Sequence, residues 1–505
     1  MESYDAIIVG SGIGGLSCAS LLSLHGLKVL VCEAHSKPGG VAHSFDFKGY
    51  KFESGPSLWS GIQNRSEKSP LGKILHLLEE DVDIVKYKNW NVIFPESTFN
   101  LEVGYGPFRD RVKLLRGQQA VQEWDNFISA VRPISKIINK IPLMSFSPQS
   151  LGFSDLFNIV PKLILDLKHV FMIQRSFGEI ADDYLNDPFL KNWVNLLCFL
   201  ISGMDMNDTN TAAMATLFDE WFNPNSFLEY PKGGSESIVS ALIRGIKKNK
   251  GKVMVSSKVD SIRFHKDVPN GIVLNNGMEI SGKKIVLNCD IWSAKNLLPN
   301  KFRSKFKREQ NINKCGSFLH IHLGFDAKGL DNLPIHTIWV KNWQKSITSE
   351  RNVAVLSIPT VLDPKMAPKG KHVLHGYTPA NEPWEPWREL KYNSKEYQKL
   401  KKDRCSVFDE PLKKLIPDIE KRIEIKMLGT PLTHKKFTNT FCGSYGPAIS
   451  AKKRLFPGCK TPISNLYMCG ASTFPGIGIP AVAASGAYAA EAIIGKKEYL
   501  KLIRS

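Results

Sequence analysis

The 505 residues of this chain are 43% hydrophobic and 23% charged, a composition that can bury a large core and that excludes a disordered chain. Lys and Arg outnumber Asp and Glu by 67 to 48, and the formal net charge of +19 favours an anionic cofactor or an acidic lipid surface as partner. The basic residues are spread along the chain rather than gathered in an arm with interleaved aromatics, so we expect no nucleic-acid partner.

The first predicted elements are a strand, a glycine turn, a helix and a second strand. The apolar run AIIVG is typical of a buried parallel strand, and Gly10, Gly12 and Gly15 follow it as GxGxxG. These glycines allow a tight turn, a close approach to a pyrophosphate and close packing of the helix on the strand. The second strand ends on Glu33, which is placed to accept hydrogen bonds from a ribose. We therefore predict an α/β, Rossmann-like dinucleotide site.

Further along, three segments repeat the combination of glycines with strands. The sequence PGG at 38–40 precedes HSFDFKGYKFES, which alternates apolar and polar residues as a β-ribbon does. Gly233 and Gly234 open an amphipathic helix, and a strand containing Val259 follows. A last short strand, 466–469, turns at Gly470 into a helix of small residues. That helix contains Glu491 and is rich in alanine and glycine, so we predict that it does not span a bilayer.

In this order the motifs resemble the FAD-dependent phytoene desaturase and carotenoid isomerase family of the amine oxidase superfamily. The segments TPLTHKKF (430–437) and GSYGPA (443–448) fit the same resemblance. It implies a two-dinucleotide-binding-domain flavoprotein with an interleaved α+β substrate domain. It also implies FAD contacts at Gly10, Gly12, Ile13, Gly14, Gly15, Glu33, Gly39, Gly40, Val259, Gly470, Ala471, Gly478, Ile479 and Pro480. The chain departs from the family at Val41, where many relatives have arginine, and at Ala471, where many have an acidic residue.

The resemblance divides the chain into five alternating pieces. Residues 1–90, 229–300 and 455–505 are predicted to form the FAD domain, and residues 91–228 and 301–454 the substrate domain. Within the latter, segment 155–177 mixes large apolar residues with basic ones. Such a segment suits either an interfacial helix on an anionic bilayer or a core helix with a basic outer face. Segment 190–204 is too short to span a membrane, and it is predicted to be a cap helix, a tunnel wall or core.

Few side chains in the predicted substrate domain are of a type and spacing that indicate catalysis or metal binding. Glu220 and Glu229 flank WFNPNSFL just before the Gly233–Gly234 turn, and they are our candidates for a catalytic acid or base. His320 and His322 alternate along FLHIHLGF and therefore share one strand face. We interpret them as ordinary sheet histidines, with a pocket lining or a metal site as alternatives, and we predict no metal site.

The family's chemistry sets the functional prediction. Because the flavin carries the reactive atom, no catalytic constellation of side chains is needed. We expect cis–trans isomerisation of a carotenoid-like polyene with reduced FAD, and a desaturase or a polyene saturase is the alternative. An amine oxidase would show an aromatic pair where this chain has only Phe474, and a non-enzymatic prenyl-lipid carrier would lack the glycine fingerprint.

The expected partners and location follow from the substrate. A hydrophobic polyene is insoluble in water, so we expect it to be taken from lipid during a peripheral membrane contact. A quinone or another electron partner is also expected. Nine cysteines without a CxxC pair, and a strand predicted from Tyr4 with no signal peptide before it, indicate a reducing compartment. We expect the cytoplasm or the stromal side of a plastid.

Overall fold

The computed structural model describes residues 3–138, 143–145, 167–223, 225–306, 312–451 and 456–504. Two seven-stranded sheets dominate these residues, and helices cover both of them. Within the described ranges, no helix is long and apolar enough to cross a membrane. Of the predicted membrane-contact segment 155–177, residues 155–166 lie outside the described part.

The strands of the described residues are numbered in chain order. They are β1 (Ser3–Val9), β2 (Val29–Cys32), β3 (Ser44–Phe47), β4 (Tyr50–Glu53), β5 (Ile84–Tyr87), β6 (Asn89–Ile93), β7 (Thr98–Glu102), β8 (Leu228–Pro231), β9 (Lys252–Met254), β10 (Val259–His265), β11 (Val268–Leu274), β12 (Glu279–Leu287), β13 (Asn313–Lys314), β14 (His320–Asp326), β15 (His336–Val340), β16 (Val353–Ser357), β17 (Lys371–Tyr377), β18 (Ile423–Gly429), β19 (Pro447–Ala448) and β20 (Leu466–Met468).

The α-helices of the same residues are numbered likewise. They are α1 (Ile13–Leu24), α2 (Pro70–Leu77), α3 (Tyr105–Ile138, interrupted at Gly117), α4 (Leu167–Ile173), α5 (Phe177–Tyr184), α6 (Pro188–Ser202), α7 (Thr211–Trp221), α8 (Ser235–Lys248), α9 (Ile291–Asn296), α10 (Asn300–Arg303), α11 (Lys395–Cys405), α12 (Asp409–Leu415), α13 (Ile419–Arg422), α14 (Pro431–Thr438), α15 (Ile479–Ile494) and α16 (Lys496–Arg504).

The first sheet has the strand order β10-β11-β12-β1-β2-β9, and β20 lies beside the end of β12. The pairs β12–β1, β1–β2, β2–β9 and β12–β20 are parallel, whereas β10 and β11 pair antiparallel. The apolar runs of β1 and β2 are buried because both faces of the sheet are covered. One face packs against α1, α8 and α15, and the other against α9 and α10.

The second sheet has the strand order β18-β14-β17-β16-β15-β6-β7. Its outer face packs against α11, α12 and α13. Its inner face joins a large aromatic core built with α3, α6 and α7. Within that core the Phe108 ring lies 4.6 Å from Trp124 and 4.8 Å from Trp193. The predicted cap or wall helix, α6, is buried in this core.

The two sheets divide the chain much as the motifs do. The first is built from strands within 3–32, 252–287 and 466–468, and the second from strands within 89–102 and 320–429. The predicted boundary at 90–91 falls inside β6, which belongs to the second sheet. The division into five pieces stays a prediction.

Candidate functional site

Four parallel strands of the first sheet end side by side at one edge. Gly10 follows β1, Glu33 follows β2, Asn288 follows β12, and Gly470 lies two residues after β20. Ligands of open α/β sheets bind at the carboxyl ends of the strands. This edge is therefore the candidate cofactor site, and it unites the predicted N-terminal and C-terminal motifs, which lie near opposite ends of the chain.

The glycine fingerprint is packed too tightly for side chains. A Cβ on Gly15 would lie 2.3 Å from the carbonyl oxygen of Gly10, and Gly10 itself has a φ of +101°. A Cβ on Gly40 would lie 3.1 Å from the Cα of Gly12, and Gly12 forms a parallel bridge with Gly39. The two predicted glycine turns thus lie against each other. Backbone can approach a phosphate there without obstruction by side chains.

Glu33 is held in place by the first turn. Its carboxylate accepts hydrogen bonds from the backbone N–H of Ser11 at 2.9 Å, the Ser11 hydroxyl at 2.6 Å and the N–H of His35 at 2.8 Å. The N–H of Ser257 donates to the carbonyl oxygen of Glu33 at 2.7 Å, which brings Val259, at the start of β10, to the same end of the sheet. A carboxylate has about four lone-pair sites, so Glu33 keeps capacity to bind a ribose hydroxyl.

Helices α1 and α15 begin at this edge and pack closely. A Cβ on Gly486 would lie 2.2 Å from the Gly14 carbonyl oxygen, and a Cβ on Gly14 would lie 3.0 Å from the Gly470 nitrogen. Among the described residues, no side chain caps the N-terminus of either helix, at Gly12 or at Gly478. The free N–H groups and helix dipoles of both first turns favour a negatively charged ligand.

The remaining predicted contacts lie around these two helix ends. Ile13 is buried in the first turn of α1, and Ala471 is half-buried after Gly470. Ile479 and Pro480 form the first turn of α15, and the space around a Cβ on Gly478 is open to beyond 4 Å. The structure thus places the predicted contacts on one edge; that they bind FAD stays a prediction.

Asn288 is a residue of this edge that the motifs do not identify. Its Nδ2 donates to the carbonyl oxygens of Gly10 at 3.2 Å and Gly12 at 3.3 Å. Its Oδ1 accepts from the Cys469 thiol at 3.5 Å and lies where a Cβ on Gly470 would come within 2.7 Å. Asn288 therefore ties the N-terminal turn to the C-terminal motif. Its only signal in the sequence is a polar residue directly after the buried run IVL.

The third glycine turn, at Gly233–Gly234, is closed by a protein carboxylate. The N–H of Ser235, at the start of α8, donates to Glu53 Oε1 at 3.1 Å, and the Ser44 hydroxyl donates to the same oxygen at 2.7 Å. A Cβ on Gly234 would lie 1.8 Å from that oxygen. Burial raises the pKa of Glu53. This helix end therefore binds the β3–β4 ribbon and offers no phosphate site.

Four buried histidines cover the inner side of the second sheet. We call His320, His322, His375 and His434 the histidine wall. The rings of His322 and His375, which face each other across β14 and β17, stack at 4.7 Å, and His320 Nδ1 lies 3.1 Å from His375 Nε2. The His434 ring, on α14, lies 5.6 Å from His320. His322 Nε2 donates to the carbonyl oxygen of Glu53 at 2.9 Å, so the wall contacts the β3–β4 ribbon.

The histidine wall is uncharged. Burial lowers the pKa of all four imidazoles, to about 4 for His322 and His434. Within the described part of the chain, His320 Nε2, His375 Nδ1 and His434 Nε2 have no hydrogen-bond partner. The same part of the chain holds no group of three or more His, Cys, Asp or Glu side chains arranged for a metal ion. The wall thus consists of neutral imidazoles able to donate or accept.

The two candidate acids have different environments. Glu220 is exposed on α7. Glu229 is buried on β8, and its carboxylate accepts the N–H groups of Ile62 and of Gln63, the latter at 3.3 Å. Glu229 therefore holds the 59–63 loop against β8. A catalytic role for either residue stays a prediction.

Comparison with known proteins agrees with the fold and the motifs. The family described as flavin containing amine oxidoreductase matches residues 13–494. Prolycopene isomerase 2, chloroplastic, of an Oncidium hybrid cultivar is 31% identical, over 97% of this chain and 84% of its own. A neurosporene-forming phytoene desaturase of Rhodobacter capsulatus is 24% identical, over 97% of this chain and 93% of its own.

A solved structure of a putrescine oxidase double mutant superposes with a TM-score of 0.63 at 14% identity, over 98% of this chain and 99% of its own. The predicted α/β flavoprotein fold and the predicted family resemblance are both confirmed. The chain therefore belongs to the flavin containing amine oxidoreductase family, and it is an enzyme whose cofactor is FAD.

Proposed function

We propose that this enzyme isomerises cis double bonds of a carotenoid-like polyene to trans, with its FAD in the reduced form. The observation that carries the proposal is the 31% identity to a prolycopene isomerase along nearly the whole chain. A phytoene desaturase matches over the same extent at 24% identity, which supports desaturation as the alternative. Bound FAD would supply the redox-active ring that lowers the rotational barrier of a double bond.

The chain's own residues would position the cofactor and exclude water. The edge of Gly10, Glu33 and Asn288 would hold the adenosine and pyrophosphate end. The uncapped N-terminus of α15 would lie beside the ring, where its dipole would stabilise negative charge on reduced flavin. Trp124 and Trp193 are buried in the apolar core beside the second sheet. The histidine wall would place neutral donors and acceptors at the inner face of that sheet.

The deciding experiment is anaerobic incubation with cis-polyenes in liposomes, with the enzyme's FAD either oxidised or reduced. We expect all-trans product only with reduced FAD, and the number of conjugated double bonds should not change. Chromatography with absorbance spectra measures both. Turnover with oxidised FAD to a longer chromophore would establish a desaturase, and a shortened chromophore would establish a saturase.

We also propose that the polyene is taken from lipid, that an electron donor such as the reduced form of a quinone keeps the flavin reduced, and that the protein works on the cytoplasmic or stromal side of a membrane. The name of the Oncidium relative, a chloroplastic protein, supports a location in a plastid. In segment 155–177, Phe171 on α4 is 65% exposed, which supports a membrane contact there. Arg175, in contrast, is neutralised by Asp183 at 2.5 Å.

The variant Glu229→Gln separates a structural from a catalytic role for this carboxylate. Because a glutamine offers one acceptor in place of two charged ones, we expect a loss of about 1 to 3 kcal/mol in the free energy of unfolding. We expect kcat to change little. Urea unfolding and steady-state assays measure the two effects. An unchanged stability with a fall in kcat of about a hundredfold or more would instead make Glu229 the acid or base.

A further inference from the structure

The last turn of helix α14 and the residues after it connect two strand ends of the candidate cofactor edge. On one side, the Phe437 ring lies edge-on to the His35 ring, with 5.7 Å between the ring centres. His35 follows strand β2 in the chain. On the other side, the backbone N–H of Phe441 donates to Asp290 Oδ2 at 2.8 Å, and Asp290 follows strand β12. We call residues 437–441 the crossing segment.

The crossing segment spans the end of strand β1. In the first sheet β1 lies between β2 and β12, so a segment that contacts the residues after both of these strands lies across the strand between them. Neighbouring strands are about 4.8 Å apart, and a segment of this length can cover the roughly 10 Å from β2 to β12. The crossing segment therefore lies across the three strand ends that are followed by Gly10, Glu33 and Asn288.

The Phe441 end of the crossing segment is fixed to the first sheet. The Phe441 ring stacks on Trp292 with 5.4 Å between the ring centres. The Asp290 carboxylate, which accepts the Phe441 N–H, also accepts the N–H of Ser293 at 2.6 Å and so caps helix α9. Helix α9 in turn packs on the first sheet. This end of the segment therefore has its partners within the protein.

The Phe437 end of the segment is open. The Phe437 ring is 43% exposed, whereas phenylalanine side chains are usually buried. Its neighbour His35 donates a backbone hydrogen bond to Glu33, the carboxylate that is predicted to bind a ribose hydroxyl. A nucleoside bound at Glu33 would therefore lie close to the Phe437 ring and would cover part of it. Purine bases stack readily on such rings, because both have a flat apolar face.

We propose that Phe437 is a further FAD-binding residue, which packs against the adenosine half of the cofactor. The glycine turns and Glu33 would hold that half from the first sheet, and Phe437 would cover it from the helix that follows the second sheet. The flavin half is proposed to lie at the N-terminus of α15, so this contact should affect the adenosine half alone. The inference rests on the proposed function only for the position of FAD at this edge. It does not depend on which polyene is the substrate.

The experiment is a binding competition with the full chain freed of FAD. Fluorescence titration gives the Kd of FAD, and displacement of FAD by ADP or by FMN gives the Ki of each half of the cofactor. For Phe437→Ala we expect the FAD Kd and the ADP Ki to rise at least fivefold, the effect of losing one stacked base. The FMN Ki should stay within about twofold of that of the unchanged protein. Phe437→Tyr keeps the ring, so its binding of FAD, ADP and FMN should be unchanged.

The matched control is Phe171→Ala. Phe171 is also exposed, at 65%, but it lies on helix α4, which packs against α3 and α7. This variant should bind FAD and ADP as the unchanged protein does. Circular dichroism and urea unfolding show that each variant folds, which we expect because both replaced rings are exposed.

The proposal would be wrong if Phe437→Ala kept the FAD Kd, if only its FMN Ki rose, if Phe437→Tyr bound ADP as weakly as Phe437→Ala, or if the Phe171 control lost ADP binding equally. The variant Asn288→Asp separates this inference from the position of the cofactor. Weaker FAD binding in Asn288→Asp with unchanged binding in Phe437→Ala would refute only the role of Phe437. Unchanged binding in both variants would refute the proposed position of FAD as well. Weaker ADP binding in Phe437→Ala, in an enzyme that leaves polyenes unchanged, would refute the proposed substrate and support this inference.

Discussion

Replacing Asn288 with aspartate is expected to remove most of the bound FAD, although the two side chains have nearly the same size. The amide of Asn288 donates to two carbonyl oxygens of the glycine turn, Gly10 and Gly12. A carboxylate has no hydrogen to donate. A carboxylate oxygen at position 288 would therefore face the carbonyl oxygens of Gly10 and Gly12 with no hydrogen bond to either. The new negative charge would also lie at the strand edge where we expect the pyrophosphate.

We expect the FAD Kd to rise at least a hundredfold, which corresponds to about 2.7 kcal/mol, since each unsatisfied buried group costs about 1 to 3 kcal/mol. Fluorescence titration of the apoprotein with FAD measures the Kd. The matched control is Asn276→Asp, at an exposed turn where the side-chain oxygen accepts the N–H of Met278 at 3.0 Å, as a carboxylate also can. A Kd for Asn288→Asp within threefold of the unchanged protein would refute the role given to this residue.

Local patterns predicted the cofactor half of the fold because its signals lie close together in the chain. The strand, the turn at Gly10 and the helix Ile13–Leu24 form one continuous segment, and the structure places each nearly where the pattern does. The predicted alternation of His320 and His322 is also observed, because a strand fixes which side chains share a face.

Pairing between distant segments could not be predicted in this way. Asn288 is hydrogen-bonded to Gly10, which is 278 positions away in the chain, and Glu53 is hydrogen-bonded to Ser235, which is 182 positions away. His375 joins the histidine wall only because β17 pairs with β14 in a particular register. A single sequence shows the periodicity of each strand but not which strand it pairs with. The hydrogen bonds from Asn288 to the glycine turn, and the complete histidine wall, could therefore be recognised only in the three-dimensional structure.

The second large effect is a steep loss of stability between about pH 6.5 and pH 4. Six histidines of the described residues are buried, namely the four of the wall, His43, and His336, which lies 2.7 Å from the Tyr87 hydroxyl and 2.8 Å from that of Ser357. Burial lowers the pKa of His336 to about 3 and that of His322 to about 4, whereas an unfolded histidine titrates near 6.5. Below pH 6.5 the unfolded chain therefore binds protons that the folded chain does not, and the folded state loses stability as the pH falls.

Each such histidine contributes a slope of about 1.4 kcal/mol per pH unit in this window. Glu53, Asp290 and Glu382 act in the opposite direction, because burial raises the pKa of these carboxyls and folding then favours their protonation. The net slope is thus smaller than the sum for six histidines. Variants of single histidines isolate the contribution of each histidine to this slope.

The variant His336→Gln cannot titrate, so it should reduce the slope of unfolding free energy against pH by about 1.4 kcal/mol per unit between pH 6 and pH 4. Urea unfolding at several pH values measures this slope. His76→Gln, on the exposed side of α2, is the matched control and should leave the slope as it is. If both variants kept the slope of the unchanged protein, the loss of stability in acid would have to come from other titratable groups. A reduced slope in His336→Gln alone would show that His336 is uncharged in the folded protein.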